Sequence, residues 1–462
     1  MQMEKKYIDE LCRLIEIPSV FSEVSVPGGP FGAGVKAALD EILRFADSLG
    51  FDTANYDGYA GEINVGHGEH VVGILCHIDV VPEGTGWDED AFKARIVGDK
   101  ICGRGSSDDK GPVMAVMSAV KRLADENAIP EDVTIRIIVG TNEEELWEGI
   151  NYYIRKVPSL PDVSIVPDGA FPLIFCEKGL IDIDIKFDAV PKANATETLM
   201  SISGGDGRNI VAPWAEAIIN VPDAKETKSA LEKYSKASGY NAEVISSDHD
   251  ITVRVNGKSS HAMSPEKGIN AISQLIDMLA HTMTDFSHSD FIKAYSRCIG
   301  LGYSGKEAGF DCEDADSGVL TFNIGMAEMS GECISLISNI RYPASLDHNM
   351  IYGKISAGLE AGGFTVESVD SLPPVHFERD SDLVMMLMDA YQSVTGDYDS
   401  QPIAMGGATY ARAIPNAISF GALFPYEEEL AHEPNEYQSI ESLNKAEQVY
   451  YTALKRLTNN IL

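Results

Sequence analysis

The sequence predicts an α/β protein built on a mostly parallel sheet, interrupted midway by an antiparallel α+β insert. Three observations carry this. Val71-Val72-Gly73-Ile74-Leu75-Cys76 and Val133-Thr134-Ile135-Arg136-Ile137-Ile138-Val139 are apolar runs of strand length, suited to strands buried on both faces. Stretches of helical period separate such runs, as a parallel sheet with helices on its faces requires. Near residue 180 the pattern changes: Ile181-Asp182-Ile183-Asp184-Ile185-Lys186-Phe187 alternates strictly, so one face of that strand is wet. The boundaries follow as a first domain part over 1–179, an insert over 180–372 and a second part over 373–462. A chain of 462 residues is long enough for two or three domains of ~100–200 residues each.

The elements follow in order. Tyr7, Ile8, Leu11, Leu14 and Ile15 recur at helical spacing, and Pro18 stops that helix. A second helix runs from Gly34 to Leu49, with Gly50 as its stop. After the strand ending at Cys76, helical period returns over Gly111–Leu123. The strand Val133–Val139 leads into Gly140-Thr141-Asn142-Glu143-Glu144-Glu145, and a shorter one, Val163–Val166, into Pro167-Asp168-Gly169. In the insert, alternating strands at 251–255, 318–326 and 333–341 are interleaved with helical stretches at 223–238, 268–283 and 349–361, the pattern of two similar lobes. Beyond Leu372-Pro373-Pro374 come a helix over Asp382–Val394, a core strand over Ala417–Phe420 and a helix over 440–457.

Composition narrows the function. With 44% hydrophobic and 23% charged residues the chain has a soluble globular profile. A net charge of -35 repels phosphate backbones and argues against nucleic-acid binding. Seven scattered cysteines without a Cys-x-x-Cys pair suit a reducing compartment. The first residues lack an apolar signal core, and no apolar run reaches the ~18 residues a membrane span needs, so the expectation is a cytoplasmic protein.

The chemistry gathers at strand ends. In open α/β sheets, functional groups collect beyond the carboxyl ends of strands. The strand ending at Cys76 runs into His77-Ile78-Asp79, where His77 can offer a ring nitrogen to a metal and Asp79 can accept its other ring N–H. Alone, this is equally a capped strand end. Glu143, Glu144 and Glu145 can split the roles of ligand and general base, although such a run more often serves as an acidic first helical turn. The loop Gly103-Arg104-Gly105-Ser106-Ser107-Asp108-Asp109-Lys110-Gly111-Pro112 sets Asp108 and Asp109 at the mouth of a helix, where a carboxylate can bridge two ions. Asp168 and His432 complete the set. Together His77, His432, Asp108, Glu144 and Asp168 would fill a pair of Zn²⁺ sites; a mixed nitrogen and oxygen set favours zinc, with Mn²⁺ or Co²⁺ also accommodated. An oxygen-only calcium site is disfavoured by the two histidines.

The segments His77-Ile78-Asp79-Val80-Val81-Pro82, Gly103–Pro112, Thr141-Asn142-Glu143-Glu144, Pro167-Asp168 and His432-Glu433-Pro434-Asn435-Glu436, in this order, resemble the ArgE/DapE/aminoacylase family of zinc metallopeptidases, and within it the dipeptidase V (Xaa-His dipeptidase, carnosinase-like) branch. The resemblance covers nearly the whole chain. It implies a catalytic domain carrying a ferredoxin-like, two-lobed lid. It implies that His77 and Asp168 hold one zinc, Glu144 and His432 the other, and that Asp108 bridges. Glu143 becomes the general base, Asp79 the residue orienting His77, and Asp109 a helix-start charge. In the lid, Gly257-Lys258-Ser259-Ser260-His261-Ala262 matches a segment whose His donates to the oxyanion. Asn209 and Arg341 match positions that bind the substrate carboxylate or carbonyl, and Gly406, Gly407 and Thr409 lie in a matching Gly-rich substrate loop. The implied activity is hydrolysis of unblocked dipeptides by a metallo-exopeptidase using two Zn²⁺. The alternatives are an N-acyl or N-succinyl amino acid deacylase with the same site and an inactive peptide-binding relative. The long lid implies a monomer acting on small peptides, with no nucleic-acid or membrane partner.

Overall fold

The structure, a computed structural model, describes residues 3–460. Its contacts divide it into two compact units: one of residues 1–175, 377–404 and 408–462, the other of 176–376 with Met405–Gly407.

The first unit is organised by a mixed sheet. Its order is Asp52–Tyr56, Ala60–Gly66, Val133–Gly140, His70–His77, Val163–Val166, Ala417–Ser419 and Ile174–Glu177. The four strands from Val133–Gly140 to Ala417–Ser419 run parallel, as the apolar runs imply. The flanking strands run antiparallel; Asp52–Tyr56 and Ala60–Gly66 form a hairpin whose turn takes Asp57 and Gly58 into positive φ (55° and 79°). Val72, Ile74, Leu75, Ile135, Ile137 and Ile138 are fully buried, so the sheet centre is the core. Parallel register sets His77 beside Gly140, so neighbouring strands end at one level. The helix Lys110–Asp125 is buried around most of its circumference, packing on Lys5–Ile15, on Ile440–Asn459 and against the sheet. A small antiparallel sheet of Arg95–Val97, Lys100–Cys102 and Tyr437–Ser439 ties two distant loops together, with Cys102 opposite Tyr437.

The second unit is one antiparallel eight-stranded sheet, in the order Asn241–Ser247, Asp250–Asn256, Trp214–Asn220, Thr198–Gly204, Thr321–Ser330, Cys333–Tyr342, Gly179–Asp188, Thr365–Leu372. Two four-stranded halves meet where Ser203 and Gly204 pair with Glu328 and Ala327. Ile181, Ile183 and Ile185 point into the apolar layer, while Asp182, Asp184 and Lys186 stay partly accessible. The helices Ala224–Ser238, Ala271–Thr282 and His348–Glu360 start at side-chain caps: Asp223, Asn270 and Asp347 each accept from backbone N–H groups of the first turn. Among the described residues no helix is long and apolar enough to cross a membrane.

Candidate metal centre

Five segments of the first unit, around His77, Asp108, Glu143–Glu144, Asp168 and His432, converge beyond the ends of the parallel strands. His77 closes its strand and is 1% exposed. Its Nδ1–H donates to the main-chain carbonyl of Asp79 at 3.0 Å, which leaves Nε2 facing Asp108 Oδ1 at 3.0 Å and Asp168 Oδ2 at 3.9 Å. The sequence expectation gave the orienting role to the Asp79 carboxylate. Here that carboxylate is second, with Oδ1 3.6 Å from Nδ1, while Oδ2 accepts from the Glu144 N–H at 3.1 Å. Two residues of extended chain bring the Asp79 carbonyl nearer to the ring than its side chain.

Asp108 lies between the two histidines. Its Oδ1 meets His77 Nε2, and its Oδ2 lies 3.1 Å from His432 Nε2, which in turn is 3.0 Å from Glu144 Oε2. Asp109 departs from the helix-start role: it sits at the N-cap of Lys110–Asp125 without capping it, and its buried Oδ2 accepts from the His77 main-chain N–H at 3.2 Å. His77, Glu143 and Asp168 offer ligand atoms all within 4.8 Å of one another, and so do His77, Asp108 and Glu144. Glu143, Glu144 and Glu145 occupy a turn before the helix Glu148–Lys156; Glu145 points outward and is exposed.

Electrostatics favour positive charge within this cluster. Burial pushes the carboxyl groups of Glu143 and Glu144 up, helped by the charges of Asp168 and Asp108 respectively. Burial likewise raises Asp168 to about 7, reinforced by Asp108. Burial would lower both imidazoles, yet hydrogen bonds to the carboxylates hold His77 well above its ordinary value and His432 at about 11. Asp108 goes the other way: hydrogen bonds from His432 and His77 outweigh its burial and hold it well below the usual carboxylate range. Two imidazoles do not balance this many partly buried carboxylates, and cations would. Donor atoms 3.0–3.9 Å apart also suit a shared ion with ligand bonds of ~2.0–2.2 Å. The donor set fits a pair of divalent transition-metal ions.

The remaining expected residues fall as follows. Thr409 is in the first unit, buried, with its hydroxyl against Ser419 Oγ at 2.8 Å and accepting from the Ala411 N–H. Gly406, Gly407, Asn209, His261 and Arg341 belong to the second unit. Within it Asn209 and His261 are neighbours: the Ala262 N–H donates to the Asn209 carbonyl at 2.8 Å, and Ile210 bridges His261. Arg341 is 5% exposed and its Nε donates to Asn339 Oδ1 at 3.0 Å, while Asn339 donates to Asp182 at 2.7 Å.

Sequence reasoning passed over several supporting groups. Asn323 donates to the carbonyls of Arg208 and Ile210 (3.2 and 3.0 Å), bracketing Asn209. Tyr410, buried, stands edge-on to His77 and Trp147; a Cβ on Gly140 would lie 2.4 Å from its ring, so glycine is what lets the ring approach the strand end. Arg104 and Glu436 form a buried ion pair at 2.8 Å. Both lie inside the motifs quoted above, but nothing local signals that two charges 332 positions apart meet.

Comparison with known proteins gives three findings. A family model described as Peptidase family M20/M25/M40 matches residues 73–456. A curated protein named "Putative dipeptidase YtjP", from Bacillus subtilis (strain 168), is 34% identical over 460 residues, covering 99% of this chain and 98% of its own. Among solved structures, human carnosine dipeptidase 1 aligns with a TM-score of 0.57 at 14% identity, covering 98% of this chain and 96% of its own. Aminoacylhistidine dipeptidase from Vibrio alginolyticus aligns at 0.56 and 15%, covering 100% and 98%. These two show a shared fold.

Proposed function

We propose, from the premise that this chain belongs to peptidase family M20/M25/M40 and is a peptide-bond hydrolase, that it is a dinuclear zinc dipeptidase acting on unblocked dipeptides. The observation that carries the reading is Asp108, whose two oxygens each face one histidine, 3.0 Å from His77 and 3.1 Å from His432. His77 and Asp168 would hold one ion, Glu144 and His432 the other, and Asp108 both. The ions, when bound, polarise the scissile carbonyl and bring the pKa of a coordinated water to ~7. Zinc is favoured by the mixed donors, and Mn²⁺ or Co²⁺ would be accepted.

Glu143 is the general base: its carboxylate takes the proton of the attacking water and delivers it to the leaving amine. Burial, with Asp168 and Glu144 nearby, raises its carboxyl well above the ordinary value, which helps it hold the proton between the two transfers. The Asp79 carbonyl keeps the His77 ring in one orientation. His261 serves as oxyanion donor and Asn209, its neighbour across the short bridge, as a ligand to the substrate carbonyl. Arg341, steadied through Asn339, offers a planar cation to the terminal carboxylate, with the backbone N–H groups of the loop that carries Gly406, Gly407 and Thr409 completing the substrate contacts. Residues 180–372 act as a lid, and their two sheet halves in one chain support a monomer. The seven free cysteines support a reducing, cytoplasmic location.

The test is a panel of unblocked dipeptides, N-blocked dipeptides and N-acyl amino acids given to the metal-loaded protein. Turnover of the first class, lost on N-blocking, is the expected result. Preference for acyl or succinyl amino acids would replace the proposal with a deacylase. Light scattering that showed a stable dimer would remove the monomer assignment.

A further inference from the structure

Glu436 has no role in the chemistry proposed above, yet it is the most heavily engaged carboxylate near the cluster. It is 0% exposed. Its Oε2 accepts from Arg104 Nη1 at 2.8 Å and from the Gly105 N–H at 3.0 Å. Its Oε1 accepts from the Ser107 N–H at 2.8 Å, Ser107 Oγ at 3.0 Å and the Asp108 N–H at 3.3 Å. Its own carbonyl accepts from the Gly103 N–H at 3.0 Å. One side chain therefore shapes the loop 103–108 that presents Asp108.

Arg104 works in the opposite direction. It is 2% exposed, and beyond Glu436 it donates to the carbonyls of His432 (3.2 Å), Glu433 (3.3 Å), Pro82 (3.4 Å) and Glu83 (3.3 Å). The His432 loop needs such support. His432 and Asn435 both hold positive φ, 67° and 62°, a region non-glycine residues adopt only when surroundings impose it. Neighbouring groups add to the frame: the Asp88 N–H donates to Asn435 Oδ1 at 3.0 Å.

We propose that Glu436 and Arg104 are positioning residues that set the distance between Asp108 and His432, and with it the affinity of the Asp108–Glu144–His432 half of the metal pair. The inference rests on the paired-metal reading of the site. Asp108 is common to both halves, but the remaining ligands of the other half are placed differently: His77 ends one parallel strand and Asp168 follows the strand beside it, so the ladder positions them without the clamp. A carboxylate suits position 436 because each of its oxygens faces N–H donors, with the Ser107 hydroxyl the one partner able to accept instead. A glutamine would turn an NH₂ group against either the Arg104 and Gly105 donors or the Ser107 and Asp108 donors.

The experiment is a stepwise Zn²⁺ titration of metal-stripped wild type, Glu436→Gln, Arg104→Lys and His432→Ala, read by calorimetry and by competition with a chromophoric chelator. Circular dichroism and melting of the stripped proteins report folding. Wild type should bind two ions. His432→Ala identifies the step belonging to its half, and Glu436→Gln should weaken that same step by about 10–100-fold and the other, which shares only Asp108 with the clamp, by at least about tenfold less. Arg104→Lys keeps the charge and loses the fork to the four carbonyls; it should move the same step, and it supplies the comparison if the Gln variant does not fold. Two unchanged steps, or both weakened alike, would overturn the clamp while leaving the metal reading intact. A wild type that takes up no pair of ions would overturn both.

Discussion

Replacing Glu143 by Gln should weaken catalysis and strengthen the metal-free fold. The substitution keeps the size of the side chain and removes its ability to take a proton. A positioned general base contributes about 10²–10⁴ in rate, or about 3–5 kcal/mol of barrier. The stability effect comes from the electrostatics of the turn 143–146. Burial pushes the Glu143 carboxyl well above its ordinary value, and Asp168 and Glu144 push it further. In the unfolded chain the group releases its proton near pH 4.3; in the fold it does so only at the higher value. Between those limits the folded state binds the extra proton, so this group makes unfolding easier as pH rises. At about 1.36 kcal/mol per pH unit above ~4.3, the withheld stability at pH 7 reaches at most about 3–4 kcal/mol. Glutamine does not titrate and removes that burden. Urea unfolding in a chelator at pH 7 should show metal-free E143Q more stable than wild type, with the gain shrinking toward pH 5. Metal-loaded turnover on a dipeptide should fall at least about 100-fold. A metal-free variant no more stable than wild type at pH 7, or a rate loss under about tenfold, would refute the reasoning.

Phe171 is fully buried, with the rings of Phe424, Phe420, Tyr391 and Tyr450 at 4.6, 5.3, 5.5 and 5.7 Å; Phe171→Ala should destabilise by about 3–5 kcal/mol in urea titration, and Phe171→Leu by less. Asp314 accepts from the backbone N–H groups of Asp316, Ser317, Gly318 and Ser345, and these bonds outweigh its burial and hold its carboxyl well below the ordinary range. Its contribution is present above about pH 4 and is lost as pH falls through the lower folded value, so melts of Asp314→Asn and wild type should differ at pH 7 and converge in acid. Chelation should abolish turnover, and Zn²⁺, Mn²⁺ or Co²⁺ should restore it; activity that survives full metal removal would rule out the proposed chemistry.

Much of this was legible because strand ends announce themselves. His77, Glu143–Glu144 and Asp168 each follow an apolar run within a few residues, and parallel register then brings them to one level. The alternation at Ile181–Phe187 likewise marked the change to a half-wet antiparallel sheet. The helices Glu148–Lys156 and Ser289–Cys298 escaped notice because a helix of 9 or 10 residues shows too few turns for its period to stand out. Asp79 was legible as the neighbour of His77, but the part its main-chain carbonyl takes was not, because a carbonyl carries no residue signature. Arg104 and Glu436 stayed unassigned because a buried charge pair is a property of tertiary contact.

The short strand Ala417–Ser419 lies between Val163–Val166 and the start of Ile174–Glu177, deep inside the sheet of the first unit. That placement separates partners of one sheet by the whole of the second unit in the order of translation. Residues 176–376, which supply nearly all of the second unit, emerge in one run and can fold while synthesis continues. The slot beside Val163–Val166 stays open until the strand that fills it has been translated, and His432, which faces Asp108 and Glu144, is translated later still.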